Sequence, residues 1–149
     1  MGLTFDTGAL VGLERRRHAM RAVYAAAVRH HVPITVPAVV VAEWWRAGLH
    51  EKERAAILRS VRVEPLTDYI ARLAGIAVGL VPGAGTIDAI VMASASLRGD
   101  IVYSSDPGDL ANLQACVPYF SNVRVLAADS SSREPPPRTG PSMTTGSSC

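Results

Sequence analysis

Short apolar runs and longer stretches at helical spacing alternate along this chain, and the alternation predicts its elements. Leu3 to Phe5 reads as a first strand ending in Asp6-Thr7-Gly8, a strand-to-helix turn, after which an Ala- and Arg-rich helical segment runs to about His31. Ile34 to Val36, fenced by Pro33 and Pro37, is a second strand. Helices follow over 38–47, closed by Gly48, and over 51–59, with Val61 to Val63 as a third strand before Pro65. Two further helices, 68–80 and about 86–98, flank the turn Val81-Pro82-Gly83-Ala84-Gly85. Ile101 to Tyr103 is a fourth strand, 107–116 a short helix and Val123 to Leu126 a fifth strand. Strands alternating with helices give βαβ units with right-handed crossovers, an α/β fold built on a parallel sheet.

The pattern stops near Asp129. Residues 130–149 run Ser130-Ser131-Ser132-Arg133-Glu134-Pro135-Pro136-Pro137 and on through Thr, Gly and Ser, with Met143 and Cys149 as the apolar exceptions. Such a stretch cannot offset its own ordering entropy and is expected to be a disordered Ser/Pro-rich tail behind a folded domain of 1–129. A total of 149 residues, 48% of them hydrophobic and 19% charged, suits one globular domain with a core of its own. Cys116 and Cys149 form no C-x-x-C pair, so neither a disulfide framework nor a zinc site is expected. The N-terminus has no leader pattern, and the most apolar run, Leu73 to Val81, falls far short of the roughly 18 residues of a spanning helix. The expected setting is cytoplasmic, without a membrane.

Topology then decides which polar residues share an edge. Ligands of parallel sheets bind at the carboxyl ends of the strands. Asp6 ends the first strand, and Asp106 follows the fourth after Ser104-Ser105. The helix opening near Thr86 must run antiparallel to the fourth strand, which brings Asp88 to the same edge, and Glu43 lies about one and a half turns into the helix leaving the second strand. Each acid has a plain alternative. Asp6 can begin a turn, Asp88 can answer the helix dipole behind an N-cap at Thr86, and Asp106-Pro107-Gly108-Asp109 is close to a capping box. Glu43 is harder to explain away, because Val39-Val40-Val41-Ala42 precede it and Trp44-Trp45 follow. Four carboxylates on one edge repel one another, a conflict that a hard divalent cation resolves. One or two such ions suffice for in-line hydrolysis of a phosphodiester.

The run Phe5-Asp6-Thr7-Gly8-Ala9-Leu10, then Ala42-Glu43, then Thr86-Ile87-Asp88-Ala89, then Ser104-Ser105-Asp106-Pro107-Gly108-Asp109-Leu110 resembles the PIN-domain ribonucleases. Within them it is most similar to the VapC toxins of bacterial type II toxin–antitoxin systems. The resemblance spans Leu3 to about Leu126. It implies a PIN-like three-layer α/β/α fold with a parallel sheet of about five strands, and Mg2+ or Mn2+ held by Asp6, Glu43, Asp88 and Asp106. It also implies Asp109 and Ser105 as secondary metal or substrate contacts, an RNA substrate of the tRNA or rRNA class, a cognate antitoxin protein and a homodimer. One departure is that many relatives carry a basic residue where this chain has Val81 to Gly85.

Three further features bear on function. Arg15, Arg16 and Arg17, with Arg21 a turn on, are candidate RNA-phosphate contacts or simply a solvated helix face. Trp44 and Trp45 point about 100° apart on a helix, so one belongs in the core and the other is free for an interface. His30 and His31 at a helix end suit contacts with terminal carbonyls better than a metal. An aspartyl-phosphate enzyme using Asp6 as nucleophile is disfavoured, because Gly8 stands where a second Asp is wanted and Lys52 is the sole lysine. A catalytically silent PIN-like module binding protein or RNA is the remaining alternative.

Overall fold

The computed structural model describes residues 1–128, so the expected tail over 130–149 lies outside the described residues. Five strands, β1 (Leu3–Phe5), β2 (Ile34–Pro37), β3 (Arg62–Glu64), β4 (Ile101–Ser104) and β5 (Arg124–Ala127), form one sheet. All its pairings are parallel and the order is β3-β2-β1-β4-β5. The chain therefore winds outward from β1 to β3, then returns to the other side of β1. The switch point between β1 and β4 opens a crevice at their carboxyl ends.

Among the described residues seven α-helices connect the strands: α1 (Thr7–Glu14), α2 (His18–Arg29), α3 (Ala38–Trp44), α4 (Glu51–Arg59), α5 (Asp68–Leu80), α6 (Thr86–Ser96) and α7 (Pro107–Cys116). One face of the sheet presents Leu3 and Tyr103 to α2, and Phe5 meets Tyr103 edge-on there, with ring centroids 6.0 Å apart. The other face, which carries Thr4, lies under α6. Residues Ala89 to Ala95 of α6 are all buried, and α6 is flanked by α5 and α7. A helix apolar all round belongs in the centre of a layer, and its alanines let the neighbours come close. No helix among the described residues is long and apolar enough to cross a membrane.

Three local outcomes differ from the sequence reading. The expected helix to His31 is two helices, because α1 ends in a Schellman motif. Arg16 takes φ 56°, its N–H bonds Leu13 O at 3.0 Å, and Arg17 N–H bonds Gly12 O at 2.9 Å. The second helix closes the same way: His31 takes φ 54°, and the N–H groups of His31 and Val32 bond Val28 O and Ala27 O. The backbone there, not the imidazoles, meets the terminal carbonyls. Helix α3 stops at Trp44, three residues before the expected end, where the Arg46 guanidinium takes the carbonyls of Ala42 and Trp45. Cys149 lies outside the described residues.

The candidate carboxylate cleft

Asp6 leaves β1 in extended conformation and caps α1, its carboxylate accepting from Ala9 N–H at 3.0 Å. The turn reading and the site reading are thus both realised, since Asp6 also lines the crevice. Burial raises its pKa above the ordinary value. Hydrogen bonds from the Ser104 hydroxyl and the Ala9 and Gly8 amides oppose that rise, and Glu43 adds repulsion. Asp106 occupies the N-cap position of α7, with Pro107 at the first helical position, yet its side chain makes no capping bond. The Ser104 hydroxyl accepts from the Asp106 N–H at 3.0 Å, so the loop is fixed and the carboxylate is left to the cleft. Asp88 lies in the first turn of α6, whose N-cap is Gly85 and not Thr86.

Glu43 departs from expectation. Val40 and Trp44 turn inward, whereas Glu43, like Ala42 before it, is exposed; Glu43 stands at the rim of the cleft and accepts a hydrogen bond from the Thr7 hydroxyl. Trp44 is the core member of the tryptophan pair, and Trp45 is half-buried. The indole N–H of Trp44 donates to Glu14 at 2.9 Å, and Arg54 donates to the same carboxylate at 2.7 Å, which ties α3 and α4 to α1 behind Glu43.

The crevice has a volume of about 450 Å³ and gathers Asp6, Glu43, Asp88, Ser105, Asp106 and Asp109. All four principal acids and both secondary residues, Asp109 and Ser105, are therefore brought together. Of the three consecutive arginines Arg17 lines the cleft, while Arg15 and Arg16 are exposed outside its walls. Gly8 is a wall residue that sequence reasoning missed. A Cβ built on it would run into the Ser105 side chain and come within 2.8 Å of the Ser105 amide nitrogen. The signal was its place two residues after Asp6, where a helix would otherwise favour alanine.

The acids act on one another. The Asp88 carboxyl is pushed up to about 6, first by burial and then by repulsion from Asp6, Asp109, Glu43 and Asp106. Uncompensated negative charge is what a divalent cation relieves, and an all-oxygen donor set suits Mg2+ or Mn2+. No three His, Cys, Asp or Glu side chains among the described residues converge into a ready-made cage. An open cleft fits an ion such as Mg2+, which keeps several waters and takes one or two carboxylates directly.

A stability prediction follows. Because the folded-state pKa of Asp88 lies above the ordinary 3.8, the folded protein holds that proton more tightly than the unfolded chain. Stability is then fully present below about pH 4 and lost as pH rises toward 6 and beyond. Asp88→Asn is expected to stabilise the metal-free protein by about 1–2 kcal/mol at pH 8, after discounting for solvent screening, and by nothing at pH 4. Thermal unfolding in chelator at the two pH values checks this.

No family model matches the sequence, and no curated protein matches it at a significant level. Solved structures do match in fold. A chain of DNA-bound VapBC from Salmonella typhimurium is 11% identical with TM-score 0.65, covering 87% of this chain and 99% of that one. FitAcB from Neisseria gonorrhoeae is 18% identical with TM-score 0.62, covering 85% and 97%. A toxin–antitoxin complex from Klebsiella pneumoniae gives 17% identity and TM-score 0.58, covering 87% and 98%. The five-stranded parallel sheet between its helical layers is thus the PIN-like three-layer α/β/α fold, shared across nearly the full length of chains from toxin–antitoxin complexes.

Proposed function

We propose that this protein is a metal-dependent endoribonuclease and the toxin of a toxin–antitoxin pair, hydrolysing RNA phosphodiester bonds at the carboxylate cleft. The observation that carries the reading is the convergence of Asp6, Glu43, Asp88 and Asp106 on the β1/β4 switch point, with Asp88 raised to about 6 by burial and by the other acids. The fold shared with chains of toxin–antitoxin complexes supports the toxin role. The same reading takes RNA of the transfer or ribosomal class as substrate, a cognate antitoxin as partner, a homodimer as the assembly and the cytoplasm as setting.

Asp6, buried, and Asp88, half-buried, would hold Mg2+ or Mn2+, with Asp106 and Glu43 completing the acidic ring and Asp109 and Ser105 beside it. The ion, when bound, supplies charge neutralisation and hydrolytic activation at the scissile phosphate. The chain's own part is positioning. The Ala9 amide fixes Asp6, the Thr7 hydroxyl holds Glu43 over the rim, and the Ser104 hydroxyl locks the backbone that carries Asp106. Geometry of this kind, set before substrate arrives, is worth several orders of magnitude in rate.

Induced expression in a bacterial host tests the reading. Wild type is expected to arrest growth, and Asp88→Asn, which is expected to fold at least as well, is expected not to. Arrest by both proteins would remove the cleft from the effect, and arrest by neither would contradict the toxin role. The alternative, a silent binding module, predicts that Asp88→Asn leaves the effect of expression unchanged.

A further inference from the structure

Between Glu14 and Glu43 the chain carries no acidic residue, but five arginines and three histidines. Most of them fall on or beside α2, and two consecutive residues at its start, Arg17 and His18, each line a different cavity. Arg17, the N-cap residue of α2, is the basic side chain in the wall of the acidic cleft. His18, the next residue, opens a surface hollow of about 500 Å³ shared with Arg21 and Tyr24. His18 and Arg21 are exposed, and Tyr24 is half-buried. The Schellman motif at Arg16 is what makes this juxtaposition. Had α1 continued straight, as the sequence suggested, Arg17 would have stayed on the solvated face of one long helix.

From this we infer that the first two turns of α2 are the single-stranded RNA track of the protein. Arg17 pairs with the phosphate next to the scissile one. The hollow takes the following nucleotide, with its backbone on Arg21 and His18 and its base against the Tyr24 ring. The inference rests on the proposal above that the cleft acts on RNA. A guanidinium takes phosphate oxygens bidentately, and an aromatic ring beside a cationic groove is the usual platform for an unstacked base. The charge fits as well: a cleft of five acids repels a polyanion, and the strand needs a cationic surface beside it. A duplex would leave the ring unused, because its bases are already stacked.

Binding measured without cleavage separates this inference from the nuclease reading. Asp88→Asn protein would be titrated against a fluorescein-labelled single-stranded RNA of about 12 nucleotides and against its duplex. Arg17→Gln and Arg21→Gln are each expected to weaken single-strand binding roughly 5- to 10-fold and to lower the salt slope by about 0.7. Tyr24→Leu is expected to weaken it roughly 5-fold at unchanged slope, and the duplex to bind more weakly than the single strand. Unchanged binding by Arg21→Gln, an exposed substitution that leaves the fold intact, would overturn the track. So would equal affinity for the duplex, or no RNA binding by the parent. If these effects appear while the wild type cuts no RNA, the track stands and the nuclease reading falls. Cleavage that is indifferent to Arg17 and Arg21 gives the reverse.

Discussion

Gly8→Ala is expected to abolish most of the RNA cleavage, at least 100-fold, and to destabilise the fold by about 1–3 kcal/mol. Two effects compete at this position. Alanine in a helix is intrinsically better than glycine by about 0.5–1 kcal/mol, because glycine loses more backbone entropy on folding. Against that, a Cβ on Gly8 meets the Ser105 side chain and sits 2.8 Å from the Ser105 amide nitrogen, and backbone cannot rotate away. The clash wins. Relief requires the 104–106 loop to move away from α1, taking Ser105 and Asp106 out of register with Asp6. Gly75→Ala on α5 is the internal control, because nothing lies within 4 Å of a Cβ there. It is expected to stabilise by about 0.5–1 kcal/mol and to leave cleavage unchanged. Thermal unfolding and initial cleavage rates of the two variants decide the matter.

Asp100→Ala is expected to have the largest effect on stability and little on the chemistry. Asp100 is 1% exposed and stands just before β4, at the opposite edge of the sheet from the cleft. Its carboxylate accepts from Gly2 N–H at 2.7 Å, the Thr4 hydroxyl at 2.8 Å and the Arg98 Nε at 2.8 Å. Arg98 also pairs with Glu64 and reaches Ser94 at 3.0 Å, so one buried network links β1, β3 and β4 to α6. Removing one partner leaves an amide, a hydroxyl and part of a guanidinium without acceptors. Breaking such a pair costs about 3–5 kcal/mol, a large share of the usual 5–15 kcal/mol of a domain. A fall in Tm of roughly 10 °C or more is expected, with cleavage per folded molecule retained within a few-fold at low temperature.

How far the sequence spoke for this molecule depended on whether a feature had a local cause. Strand positions were legible because three- and four-residue apolar runs bounded by Pro, Asp and Gly have few alternatives. Asp6, Asp88 and Asp106 were placed at one edge from parallel topology alone. Glu43 reached the edge too, but on an exposed rim and not in the apolar pocket its neighbours suggested, because a helix sends adjacent residues to different sides. The break at Arg16 left no trace, since a Schellman turn usually announces itself with glycine and here arginine takes the left-handed conformation. Gly8 and Asp100 were silent for another reason. Their importance lies in contacts with Ser105 and Gly2, each more than ninety residues away, and no local pattern records a contact of that range.

Hydrolysis of RNA at the cleft by way of a bound divalent ion is open to direct test. The most direct measurement incubates the purified, folded protein with a mixed cellular RNA pool in Mg2+ or Mn2+ and in chelator, beside Asp88→Asn prepared identically. Discrete cleavage products that appear with wild type in metal, and vanish with chelator and with the variant, are the predicted result. Intact RNA in every lane, or cutting that persists in chelator or in Asp88→Asn, would contradict the claim.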